Sequence, residues 1–168
     1  MKNIDQETKE SFMRVAIAMA KKAAKAGDVP IGAVIVREGQ IIAEGYNRTE
    51  AEQDPTLHAE MIAIREAARV LGAWRLLGCE MYVTTEPCVM CAGACVLSRL
   101  DAVYVGCESP KSGAAGSVKD ILTAGDLNHT LVYEQGILRD DCADLLKSFF
   151  SHLRTRKQKE ESQMGVTK

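Results

Sequence analysis

The sequence has no apolar run long enough to cross a bilayer as a helix, so no membrane partner is expected. Its amino end, "MKNIDQETKE", is polar and lacks the apolar stretch of a secretion signal, which points to a cytoplasmic location. It also lacks internal repeats, low-complexity tracts and Pro/Gly-rich linkers. A single domain over 1–168 is expected, with an ordered core from about 5 to 157 and a polar, frayed tail over 158–168. The formal net charge is only −2, so there is no global electrostatic pull toward nucleic acid, and any polyanion contact must come from a local basic patch. What is present is ordinary for a globular protein: 46% apolar and 26% charged residues, in a chain of 168 that can bury a real core. Six cysteines, at 79, 88, 91, 95, 107 and 142, are unevenly spaced. Without an export signal, metal binding or simple burial is the better reading than a disulfide framework.

Hydrophobic periodicity gives the course of the chain. Phe12, Ala16, Met19, Ala20 and Ala23 fall at helical spacing, predicting a helix over Glu7–Ala26 that Gly27 ends. "IGAVIV" (Ile31–Val36) and "QIIAEGYN" (Gln40–Asn47) read as strands joined by a brief "REG" turn, hence an antiparallel hairpin. A helix over Ala59–Leu71, closed by Gly72, follows a polar loop. Then come a strand at Glu80–Thr85, a helix at Cys88–Leu100, strands at Ala102–Gly106 and Leu131–Glu134, and a closing helix at Asp140–Arg156. The strand–helix–strand order of the second half implies parallel pairing there. The fold class is α/β: a three-layer α/β/α sandwich around a mixed five-stranded sheet.

Within this frame one stretch carries chemistry. Cys88 and Cys91 stand three apart behind Pro87, so both sulfurs share one side of a helix's first turn. The positive helix end favours the thiolate, the form that binds metal. A bare C-x-x-C is only suggestive, because buried cysteine is common. His58 begins the other candidate site helix, and open sheets bring such helix starts together at the carboxyl ends of their strands. Three ligands, His58, Cys88 and Cys91, are one short of a closed structural zinc shell and leave the open position that a catalytic zinc keeps for water. Cys95, one helical turn further on, is the competing fourth ligand, but it has turned inward among Ala92, Ala94 and Val96 and reads as core. Glu60 could be a surface glutamate in a favourable first turn. Beside three ligands it reads instead as a general base, provided that the chain is still entering the helix at "DPTLHAE", with Asp54 and Thr56 available as caps.

The pattern H-x-E…P-C-x-x-C is that of the zinc nucleobase deaminases. With "VPIGAVIV", "EGYNR", "EPCVMCAGA", "KSGAAGS", "LNH" and "LLKSFF", the sequence resembles the bacterial tRNA-specific adenosine deaminases of the cytidine deaminase-like superfamily over nearly its whole length. That resemblance implies one zinc per subunit on His58, Cys88 and Cys91, and Glu60 as the proton shuttle. Adenosine would become inosine at the wobble position of a tRNA anticodon, in bacteria that of an arginine tRNA. It further implies that Asn47 and the backbone of Ala59 contact the base, although Asn47 could be only a strand-ending turn residue. Lys111, Asn128, Phe150 and Arg154 would contact RNA, although a cationic helix end is more often a solvated terminus. The family's homodimer is carried over with the tRNA partner; the "AGACVL" stripe (Ala92–Leu97) could serve core or interface.

Three positions depart from the family pattern: Ser109 for a usual aspartate, Thr85 for a leucine, and Cys107 for an alanine. Two other readings compete. A deaminase of a free base, guanine or cytosine, shares the zinc motif. A non-catalytic zinc-stabilised binding module would need a saturated metal shell and an expendable Glu60.

Overall fold

Alternation with a period of two sorts the strand side chains onto two faces of one sheet. In the computed structural model, which describes residues 4–164, the chain runs α1 (Gln6–Lys25), β1 (Gly32–Arg37), β2 (Gln40–Tyr46), α2 (Thr49–Glu52), α3 (Ala59–Leu71), β3 (Cys79–Thr85), α4 (Val89–Leu97), β4 (Ala102–Cys107), β5 (Val132–Gln135) and α5 (Arg139–Met164). Val34, Val36, Tyr82 and Tyr104 point to one face, where they pack with Met13 and Ala16 of α1 and Cys142 of α5. Ala33, Ile35, Met81, Val83, Val103 and Val105 point to the other, against Ala63 and Ala67 of α3 and Ala92 and Cys95 of α4. Both faces being covered, β1, β3 and β4 are buried almost throughout rather than on alternate residues. The three-layer α/β/α architecture is as the sequence predicts.

Strand order is β2-β1-β3-β4-β5. β1 pairs antiparallel with β2 and β3, while β3–β4 and β4–β5 are parallel, so the sheet is mixed. The hairpin turn is Glu38–Gly39, both at positive φ (54° and 78°), the primed geometry that matches strand twist. Gly27 and Gly72 close α1 and α3 as expected.

Three details differ from the sequence reading, and one agrees with it. The polar loop after β2 holds the one-turn helix α2, whose first amides at Glu50 and Ala51 donate to the buried Asp28 Oδ2 at 3.0 and 3.2 Å. α4 stops at Leu97, because Arg99 takes a left-handed φ of 63°. The parallel crossover from β4 to β5, residues 108–131, contains no helix, in agreement with the sequence reading. And α5 does not fray past Arg156 but continues to Met164, supported by the i,i+4 pairs Arg156–Glu160 (3.4 Å) and Lys157–Glu161 (4.0 Å). Residues 165–168 of the expected tail lie outside the described residues.

Candidate active site

Two helices begin at one point. His58 is the N-cap of α3 and Cys88 the N-cap of α4, both with extended backbone (φ −74°, ψ 152° and φ −72°, ψ 174°). Because His58 still has strand-like dihedrals while Glu60 is helical, the two side chains converge, as the entry segment predicts. Close approach of α3 to the sheet depends on Gly45 of β2: a Cβ there would overlap the Ala59 carbonyl. The first amide of α3 is not capped by Asp54 or Thr56. Asp54 accepts instead from Thr56 N–H (2.8 Å) in a local turn, and it is Asn47 Oδ1 that accepts from Ala59 N–H at 2.9 Å. Asn47 is buried, and its amide's donor end remains for another partner.

The donor set is His58 Nδ1, Cys88 Sγ and Cys91 Sγ, all within 4.8 Å of one another, and these three residues form the one such cluster among the described residues. His58 Nδ1 lies 3.7 Å from Cys88 Sγ and 3.6 Å from Cys91 Sγ. A tetrahedral zinc with bonds of about 2.0 Å to nitrogen and 2.3 Å to sulfur needs an N···S edge of about 3.6 Å, so the donors fit that ion as they stand. The Cys88 thiol is held down at about 4 by the hydrogen bond from Cys91 and by the His58 ring; sharing that proton, together with burial, holds Cys91 up. One thiolate is thus already favoured. Cys95 takes no part: fully buried, its Sγ lies 3.9 Å from Met81 Sδ in the core, in agreement with the sequence reading.

Glu60 is buried beside this triad, and its Oε2 has no hydrogen-bond partner. Burial pushes its carboxyl up to about 7. A buried carboxylate with one unpartnered oxygen next to three metal donors is an arrangement that can take a cation and pass a proton.

Beside Thr85, three residues before Cys88, opens a cavity of about 500 Å³ lined by Val29, Ile31, Ser109, Lys111, Phe150 and Arg154, among others. Phe150 is 43% exposed and meets Phe149 edge-on at 5.5 Å. Three of the four expected RNA contacts therefore share one cavity. Asn128 does not join them. It accepts from Arg99 Nη1 at 2.9 Å, beside the amino ends of β4 and β5, the end of the sheet opposite Cys88. A second cavity, about 610 Å³, is lined by Arg48, Arg65, Arg69, Glu44 and Glu66 on the outer side of α3 and β2 and contains none of the triad.

Two departures from the family pattern turn out to be partners. Thr85 and Cys107 are in register on β3 and β4, with Oγ1 and Sγ 3.8 Å apart, so a polar pair fills the place of two apolar residues. Ser109 Oγ bonds Ser112 Oγ at 2.9 Å. The sequence reading missed one buried carboxylate altogether, Glu86, which accepts from the backbone of residues 109, 115 and 117. The signal was available: a glutamate before "PC", and glycines in "GAAGS" with no assigned purpose.

The fold and the triad define a zinc-dependent deaminase, and residues 6–107 match the family model of the cytidine and deoxycytidylate deaminase zinc-binding region. The tRNA-specific adenosine deaminase of Bacillus subtilis (strain 168) is 47% identical over 149 residues, 89% of this chain and 92% of that protein. A structure from work on A-to-I editing by tRNA:A34 deaminases at the wobble position of transfer RNA superposes with a TM-score of 0.78 at 39% identity, covering 81% of this chain and 99% of that one. A guanine deaminase structure from Bacillus subtilis matches at 47% identity over 59% of this chain and 64% of that one, with a TM-score of 0.57. The chain belongs to the tRNA-specific adenosine deaminase family.

Proposed function

We propose that this protein hydrolyses adenosine to inosine, with release of ammonia, at the wobble position of a tRNA anticodon, in bacteria that of an arginine tRNA. The observation that carries the substrate is the shared cavity. Lys111 and Arg154 bring positive charge, and Phe150 an exposed aromatic face, to one opening that reaches Thr85, three residues before Cys88. A flipped base and its flanking phosphates need both. A free purine needs neither.

His58, Cys88 and Cys91 would hold the zinc. When bound, the ion supplies Lewis acidity that makes water a nucleophile at neutral pH. Glu60, with one oxygen unpartnered, takes the proton of the attacking water, delivers it to the ring nitrogen of the base, and then helps ammonia leave. Asn47 is fixed by its bond from Ala59 N–H, so its donor end is aimed and rigid. That pair orients the base: the Ala59 amide acts through Asn47. Phe150 stacks on a neighbouring base, while Lys111 and Arg154 meet phosphates. Asn128, at the far end of the sheet, is left out of this subunit's contact surface.

A homodimer and a cytoplasmic location complete the reading. α4 resolves the "AGACVL" stripe into two faces: Ala92, Cys95 and Val96 are core, whereas Leu97, 67% exposed, joins the exposed Val89 two turns earlier in a face that suits a second copy. No helix among the described residues is long and apolar enough to cross a membrane.

The test is inosine formation by the zinc-loaded protein in an arginine tRNA anticodon stem-loop whose first anticodon base is adenosine, beside free adenosine, guanine and cytosine. Inosine at that position alone is the expected result. Ammonia released only from a free base would overturn the substrate, and no turnover on any of them would overturn the enzyme.

A further inference from the structure

The crossover over residues 108–131 has neither helix nor strand to hold it, yet it carries Lys111 into the cavity. One side chain makes four of the hydrogen bonds that tie its first half to the end of β3. Glu86, only 3% exposed, accepts hydrogen bonds from Ser109 N–H at 3.0 Å, Ala115 N–H at 2.8 Å and Ser117 N–H at 3.1 Å, and a fourth from the Ser117 hydroxyl. Gly113 lies so close over the carboxylate that a Cβ there would overlap it. The two residues after Glu86 join in. Ala114 N–H donates to the Pro87 carbonyl at 2.8 Å, and Gly113 forms a backbone bridge with Cys88. Glu86 itself is anchored in the sheet, its N–H donating to the Cys107 carbonyl at 2.8 Å.

We propose that Glu86 is a positioning residue that clasps the Ser109–Ser117 loop to the Pro87–Cys88 segment and so presents Lys111 to the RNA. The proposal rests on the reading of Lys111 as an RNA contact. It gives "GAAGS" a physical purpose. Gly113 leaves space for the carboxylate, Ala115 and Ser117 turn their amides onto it, and the Ser117 hydroxyl completes its acceptor sites. Charge-assisted bonds of this kind are about twice as strong as neutral ones, and a carboxylate can accept all of them at once. A glutamine of the same shape cannot, because its NH₂ would face backbone N–H groups.

The test compares wild-type protein, Glu86→Gln, Lys111→Ala and the double variant, all zinc-loaded. In Glu86→Gln, amide exchange at Ser109, Ala115 and Ser117 should rise about ten-fold or more, while amides of β1 stay protected and zinc content is kept. For the stem-loop, KM should rise several-fold with kcat nearly preserved, and Lys111→Ala should add little to Glu86→Gln, because both remove the same contact. Ser117→Ala, which keeps the carboxylate and removes only the hydroxyl donor, should loosen the same amides to a smaller degree and covers the case in which Glu86→Gln does not fold. Unchanged exchange in both variants overturns the clasp. Faster exchange with additive KM effects, or a loss confined to kcat, overturns the presentation of Lys111. A wild-type protein without activity on the stem-loop overturns the RNA reading itself, while the exchange result still decides whether Glu86 holds the loop.

Discussion

Gly45→Ala is the substitution whose effect follows most directly from the geometry. The added Cβ would overlap the Ala59 carbonyl and stand 2.9 Å from Ala63 N, both backbone atoms of α3 that no rotamer change can move. To restore ordinary contact, α3 must retreat from β2 by about 1 Å. Overpacking of this kind costs about 1–3 kcal/mol. For a chain of this size each kcal/mol lowers Tm by about 2–4 °C, so a fall of roughly 2–12 °C is expected. The displacement also reaches the metal donors, because His58 caps the helix that moves and its Nδ1 now stands 3.6 Å from Cys91 Sγ. Zinc affinity should therefore fall together with Tm. Thermal unfolding of the zinc-loaded protein, followed by titration with a competing chelator, measures both. A Tm within about 1 °C of wild type and an unchanged zinc affinity would refute the argument that Gly45 sets the docking of α3.

Three further outcomes are expected. Glu60→Gln should retain zinc and fold but lose turnover by about 10²–10⁴-fold; near-normal kcat would remove Glu60 from proton transfer. Arg154→Ala should weaken stem-loop binding most at low salt and reduce the slope of log K against log [salt] by about 1, whereas an unchanged slope would take Arg154 off the phosphate backbone. Gly93 lies between Val89 and Leu97 at helical spacing, and a methyl group added to it would meet nothing within 4 Å, so Gly93→Ala should raise helix stability by about 0.5–1 kcal/mol in an isolated subunit. If that stripe meets a second copy, the same methyl instead weakens association, which sedimentation at graded protein concentration will separate.

Patterns with a fixed period were legible from sequence. The strands, α1 and α3 follow from alternation and helical spacing, and their glycine stops stand where expected. The triad was legible because Cys88 and Cys91 are adjacent in one turn and His58 starts a second helix, both at the same end of a sheet. How the helix-free crossover is held was harder, since its order comes largely from Glu86, a residue 23 or more positions upstream of every amide it binds. Nor could spacing foresee that Asn47 would cap α3, or that Asn128 would pair with Arg99 away from the cavity. The extension of α5 turned on charge pairs four apart, a weak signal beside the polar composition read as a tail.

The N-cap positions of α3 and α4 carry a wider lesson. Neither His58 nor Cys88 makes a side-chain cap bond, and serine, aspartate or asparagine there would strengthen each helix start by about 1 kcal/mol. A search for stabilising substitutions guided only by helix propensity would thus select the two changes that abolish the metal site. Thermal robustness has to be sought elsewhere in this chain, away from both helix starts and from the exposed Val89–Leu97 face of α4.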